Sequence, residues 1–563
     1  GGLLAPFGTL EIGGSLFGLF AGVSTIVLVV SIIQVFFSQE VFRRLASAID
    51  YLSGLFSPRQ LLIGIICLAL FVRMYRLWLP ADYVFDEVYH AFTAEEIAHG
   101  NVAAWEWWTD PPEEFAYEWT HPALSKYFMA AGVNLFSWLP TTLERIPNPN
   151  GGVPMRPTQE TSGEHGKTVS VYPESVSPTG HNPFGWRFPV ALFSVGVIIL
   201  LYRIGKELFS EATGLIAAFL ATFDGLLFVL GRTGMNDTFF LFFELGAFLM
   251  FTRYLKAKTH GGYLALKIAK FTLKWNKSLV YLLLTGICLG LAVATKWTGL
   301  YGIGLVSAAY GISYIGSSVY KRFLHHRLTV RSIGWFLVDS IRGALIGISH
   351  LIVIPALVYL VVHIPFLVSG HTWDQFVELQ KQMWWYHTNL KATHNYQSVA
   401  VSWPLMIRSV WFYVKYGEGT VSHIYALGNP FIWWVGVASV AAMIYSTLNL
   451  VRIGVRRGWK SIQSSWFVGQ VLILGAYFAF FLPWTISPRI MFLYHYTPSL
   501  AFLILILASV LTRLSRGDAF GRVVVAGYLV CVFVVFLYFY PILSGVPIPQ
   551  IWGDQYFWLP SWR

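Results

Sequence analysis

Several apolar runs of about 20 residues carry no internal charge, and that is the length an α-helix needs to cross the hydrocarbon core of a bilayer. Twelve spans are read at about 14–37, 60–79, 187–205, 213–231, 236–252, 278–295, 299–318, 348–368, 431–451, 463–483, 490–512 and 523–543. Only 12% of the 563 residues are charged and 56% are apolar, whereas an ordinary soluble chain is roughly 25% charged. A soluble globular fold is excluded, and an all-α polytopic membrane protein is expected. The run at 14–37 is too long for a signal-peptide core and lacks a small-residue cleavage site, so it reads as an extra first span. Cys67, Cys288 and Cys531 lie inside apolar runs, which argues against a disulfide framework or a cysteine metal site.

The net charge of +11 points to orientation rather than to nucleic acid, because the basic residues lie between the spans in alternate loops. They are Arg43, Arg44 and Arg59; Arg203 and Lys206; Arg253 with six lysines up to Lys277; Lys321, Arg322, Arg327 and Arg331; Arg452, Arg456, Arg457 and Lys460; and Arg513, Arg516 and Arg522. Placing all of these in the cytoplasm gives one consistent threading. Residues 1–59 are then the extra span with a cytoplasmic linker, 60–545 a transmembrane domain, and 546–563 an external tail. Two external segments stand out, about 80–186 and 369–430. In the first, Ala123–Leu139 is too short to span and reads as a helix along the membrane surface. The stretch 147–183, rich in Pro, Gly, Ser and Thr, reads as a flexible insertion. No repeat of fixed period, upright or inverted, is evident.

On this threading the unusual polar residues all fall at external span ends. Asp86-Glu87 follows the span at 60–79, Arg187 opens the next, and Arg232, Asn236 and Asp237 form one turn. Lys296-Trp297 caps a span, His387 and His394 lie in the second external segment, and Arg489, Tyr494 and His495 precede a late span. Charges at the bilayer edge are costly unless paired or used, so this convergence implies one external, membrane-level site. A carboxylate at Asp86-Glu87 suits proton abstraction or metal binding; the plainer reading is a loop start or helix cap. Arg187, Arg232 and Arg489 offer rigid donor forks for phosphate, against simple snorkelling of Arg and of Lys296 to the interface. His387, His394 and His495 match no compact metal-ligand spacing, and no metal site is assigned. The chain has no Walker-type phosphate loop and no Asp-x-Asp pair, which argues against soluble nucleotides as substrate; a donor, if there is one, should come from the lipid.

Eight segments in order from about 60 to 500 resemble the protein O-mannosyltransferases. These are Phe85-Asp-Glu-Val-Tyr-His90, His121-Pro-Ala-Leu-Ser-Lys126, Gly185-Trp-Arg-Phe-Pro189, Arg232-Thr-Gly-Met-Asn-Asp237, Thr295-Lys-Trp-Thr-Gly-Leu-Tyr301, Met383-Trp-Trp-Tyr-His387 to Trp403-Pro404, Gly428-Asn-Pro430, and Arg489-Ile-Met-Phe-Leu-Tyr-His-Tyr496. The resemblance implies a GT-C glycosyltransferase fold with about 11–12 transmembrane helices and a long first external loop. It also implies mannose transfer from polyprenyl-phosphate mannose to protein Ser/Thr hydroxyls at the extracytoplasmic face of a bacterial plasma membrane. Asp86 is then the catalytic base and Glu87 orients the acceptor or an arginine. Arg187 is that arginine or contacts the donor phosphate, with Arg489 and Lys296 as further phosphate ligands. His121, Lys126, Arg232, Asp237, Trp297, His387, His394 and His495 support the site. No cofactor is required, although a divalent cation at the carboxylates stays open. Ala123 and Ser125 depart from the family's Pro and Gly. The second external segment carries no large soluble insertion, which is the basis for expecting a bacterial-type enzyme. Two alternatives remain: a related enzyme moving another lipid-linked sugar to a lipid or glycan, and a transporter, for which paired halves are expected.

Overall fold

Apolar side chains on every face drive a helix into the interior of a membrane bundle, whereas an apolar stripe leaves it at the edge. The computed structural model describes residues 39–111, 115–139, 159–162, 168–171, 182–261, 263–268, 271–319, 330–458, 464–487 and 489–563. The expected span at 14–37 and most of the insertion at 147–183 lie outside the described residues; within the latter, Gln159–Ser162 and Thr168–Val171 pair as antiparallel strands. Among the described residues, eight helices are long and apolar enough to cross a membrane, and a ninth is counted if Gln39–Gly54 and Pro58–Met74, bent by 82° from each other, form one span. The shorter apolar helices Glu211–Thr222 and Lys277–Val293 occupy two further expected positions.

Thr497–Ser515 is the axis of the bundle. Its residues are buried nearly throughout, against Glu211–Thr222, Pro430–Arg457, Ser464–Thr485 and Ala519–Ser544. Outer helices show bare apolar faces at Ile312, Leu345, Val361 and Val530, the surface that acyl chains cover in a bilayer.

The stretch expected as one span at 213–231 is broken. Buried Asp224 accepts from the Leu227 amide at 3.0 Å and starts a new helix, Gly225–Leu230, while its other oxygen takes Trp433 Nε1 at 2.8 Å. A carboxylate in an apolar interior must be hydrogen-bonded, and the break supplies the amide. The span expected at 348–368 instead runs from Val330, through a π-helical turn at Ser349–Val353. Its exposed Ile341 and Leu345 keep a lipid-facing stripe going where the hydropathy reading stopped.

Outside the bundle, Glu87–Ala98, Leu124–Leu135 and Trp373–Asn389 form a helical cap. Leu124–Leu135 is the expected surface helix, yet it packs between Glu87–Ala98 and Phe184–Leu208. The approach is close enough that a Cβ on Gly132 would sit 2.3 Å from the Gly185 carbonyl. A hairpin of Val410–Gly417 and Thr420–Ala426, extended by Ile548–Pro549, closes the cap, and the fully buried Trp562 donates to the Met406 carbonyl at 2.7 Å.

Candidate active site

Asp86 is the N-cap of Glu87–Ala98, without a capping bond of its own. The chain is delivered to that position by Phe85, whose φ of 50° lies in the left-handed region that bulky residues avoid. Phe85 is held there by stacking on Phe412 at 4.3 Å and by donating its amide to the Phe412 carbonyl at 3.1 Å. Strain of this kind persists only where the surroundings over-determine it, and here it aims the Asp86 carboxylate into a cleft.

The cleft has a volume of about 510 Å³. Asp86, His121, Asp237, Lys296, His394, Arg489 and His495 all line it, joined by His90, Glu118 and Tyr494. Residues from the segments 80–186 and 369–430 and from three helix ends therefore meet at one surface. Burial, reinforced by the Asp237 carboxylate and only partly opposed by Lys296, pushes Asp86 up to about 7. Lys296 Nζ donates to Asp237 Oδ1 at 2.8 Å and lies 5.8 Å from the Tyr494 ring.

Arg489 Nη1 is 2.5 Å from His387 Nδ1. His387 Nε2 donates to the Thr120 carbonyl at 2.8 Å, so its Nδ1 is the lone pair that accepts from the arginine. Burial, then the Arg489 charge, pulls His387 down to about 4, keeping it neutral. His387 is not on the cleft wall; it orients an arginine that is. Trp297, also off the wall, donates to Tyr359 Oη at 3.2 Å and lies 6.2 Å from the His387 ring.

Of the two readings open for Glu87 and Arg187, the structure shows the ion pair and not a phosphate contact, and Arg232 does not line the cleft. Glu87 is fully buried and accepts Arg187 Nε at 2.8 Å, Arg187 Nη2 at 2.6 Å, the Val84 amide at 2.9 Å and the Gly234 amide at 2.7 Å. Arg187 gives its remaining N–H groups to the carbonyls of Leu77, Pro80 and Asp82, so no donor is left for a phosphate. Arg232 donates to the carbonyls of Val72, Arg73, Tyr75 and Arg76, closing the end of Pro58–Met74. These two arginines tie down the chain before Asp86 rather than a ligand. Lys126 is likewise behind the wall, donating to Glu118 Oε2 at 2.6 Å and to the His121 carbonyl at 2.9 Å.

Glu118 and His90 were not singled out from the sequence. His90 lies one helical turn after Asp86, and Glu118 three residues before His121; an i, i+4 partner and a near neighbour of motif residues are the available signals. Among the described residues, no group of three or more His, Cys, Asp or Glu side chains is arranged to hold a metal ion.

Two family models match the chain: "Dolichyl-phosphate-mannose-protein mannosyltransferase" over residues 167–376 and "C-terminal four TMM region of protein-O-mannosyltransferase" over 372–562. The polyprenol-phosphate-mannose–protein mannosyltransferases of Mycolicibacterium smegmatis and Mycobacterium tuberculosis are 27% and 28% identical to it, over 68% of this chain and 78% of each relative. The solved structure of the S. cerevisiae protein O-mannosyltransferase Pmt1-Pmt2 complex bound to the sugar donor superposes with a TM-score of 0.61 at 15% identity, covering 90% of this chain and 92% of that one. That likeness shows the GT-C fold. With the two family models together spanning 167–562, the chain belongs to the protein O-mannosyltransferase family.

Proposed function

We propose that the protein transfers mannose from polyprenyl-phosphate mannose to Ser or Thr hydroxyls of protein acceptors, at the extracytoplasmic face of the membrane and with inversion. The observation that carries this reading is that Asp86, with its carboxylate raised to about 7, shares one cleft with Lys296 and Arg489. A base poised near neutrality is matched to a hydroxyl acceptor. Asp86 takes the hydroxyl proton as the acceptor oxygen bonds to the anomeric carbon, and the bond from that carbon to the phosphate oxygen breaks. The leaving polyprenyl phosphate keeps the electron pair and needs positive charge rather than a proton, which Lys296 and Arg489 supply. The apolar walls of the spans bind the prenyl tail by burial.

The scheme needs no metal. Transfer of radiolabelled mannose from polyprenyl-phosphate mannose to a Ser/Thr-rich peptide, by purified protein in detergent, tests it. Transfer is expected to survive a chelator and to be lost in Asp86→Asn. Near-normal activity in that variant would refute the base, and an inert wild type would refute the reaction.

A further inference from the structure

The transfer scheme uses none of the four histidines on the cleft wall, and two of them, His90 and His121, face one carboxylate. Glu118 sits on the cleft wall with its amide donating to Thr93 Oγ1 at 2.8 Å. Burial alone would raise it, but Lys126 and His121 outweigh that and hold it well below the usual carboxylate range. Its Oε1 is 3.0 Å from His121 Nδ1, and its Oε2 is 3.6 Å from His90 Nδ1. His90 Nδ1 is buried and makes no hydrogen bond among the described residues, so the Glu118 carboxylate faces it electrostatically rather than through a hydrogen bond. An imidazole facing a carboxylate through Nδ1 carries its proton there, which leaves the lone pair on Nε2. His90 and His121 both line the cleft, their ring centroids 5.8 Å apart, and neither Nε2 has a hydrogen-bond partner among the described residues. Burial pulls His90 down to about 4 and His121 well below its usual value, so both stay neutral.

Two neutral lone pairs at a cleft wall are satisfied only by groups that donate. A phosphate ester's oxygens accept, and the acceptor's single hydroxyl proton goes to Asp86. On the donor substrate itself, with its phosphate ionised, the only groups that donate are the hydroxyls of the sugar. We infer that His90 and His121, aimed by Glu118, form the subsite that reads hydroxyl groups of the transferred hexose, with both Nε2 atoms accepting from them. This rests on the transfer reaction proposed above.

The test crosses donor variants with protein variants: polyprenyl-phosphate mannose and its 2-, 3-, 4- and 6-deoxy forms, against wild type, His90→Phe, His90→Gln and Glu118→Gln. For the wild type, kcat/KM should fall on the order of tenfold or more for the donor lacking the hydroxyl that His90 reads, the size of one lost hydrogen bond. His90→Phe should lose a similar factor on the full sugar and nothing further on that deoxy donor. His90→Gln, which keeps an acceptor oxygen, should recover part of the loss. Glu118→Gln, which frees both tautomers, should blunt discrimination at two hydroxyls. Equal loss on every donor in His90→Phe would overturn the subsite while leaving the reaction standing. A wild type inert toward the mannosyl donor would remove the reaction and the subsite with it.

Discussion

Asp86 and Arg187 lie close in the fold and do different work. Asp86 must be ionised to accept a proton, so transfer should rise with pH through a midpoint near 7, its raised value, and be lost toward pH 5. A pH–rate profile checks this; a flat profile across that range would place the base elsewhere. Because the folded value lies above the ordinary 3.8, ionising Asp86 costs the fold stability as pH rises through that interval. Asp86→Asn should therefore melt no lower than wild type at pH 8. Arg187 is the opposite case. Removing one member of a buried ion pair strands the other, at about 3–5 kcal/mol, so Arg187→Ala should lower the melting temperature sharply, by leaving Glu87 and three carbonyls unpaired. Unchanged stability with a higher KM for donor would instead make Arg187 a phosphate ligand. For Arg187 and Arg232 the sequence made legible the residue type and a place near a span end. What was not legible is that carbonyls at the end of Pro58–Met74 and in the loop after it compete for guanidinium groups, since their positions depend on how that end unwinds.

At the scale of elements, hydropathy located the spans because burial in lipid requires it, and it failed where a polar atom inside a span had to be satisfied. Asp224 breaks one helix to gain an amide, and the π turn at Ser349–Val353 has no hydropathy signature. Lys277–Val293 meets that turn at Gly286 and the helix after it, Ile354–Val362, at Gly290. A Cβ on Gly286 would fall 2.0 Å from the His350 carbonyl, and one on Gly290 would fall 2.6 Å from Val358 Cβ. Small residues four apart let helix backbones approach within a membrane. Gly286→Ala should cost about 1–3 kcal/mol as overpacking, read as a lower detergent melting temperature, whereas Gly304→Ala, with nothing within 4 Å, should be neutral. Equal effects of the two would remove the close crossing as the cause. The Glu118, His90 and His121 cluster was likewise hidden, because contact between residues 90 and 118 depends on how the segment 80–186 folds back on itself.

For the whole molecule, charge asymmetry carried more than any motif: the alternating basic loops predicted which helix ends share a face, and the cleft residues lie on that face. In a chain with Cys67, Cys288 and Cys531 replaced by alanine, Trp373→Cys should react with a membrane-impermeant maleimide on intact cells. Arg516→Cys should react only after permeabilisation; the reverse pattern would invert the threading. The cleft is built from residues as far apart as Asp86 and His495, and that distance also has a meaning in time. At roughly 5–20 residues per second, tens of seconds separate the emergence of Asp86, the proposed base, from that of Arg489, the cation expected to meet the leaving phosphate. Until the last spans have been inserted, the nascent enzyme exposes half a site and stays silent toward the donor lipid around it.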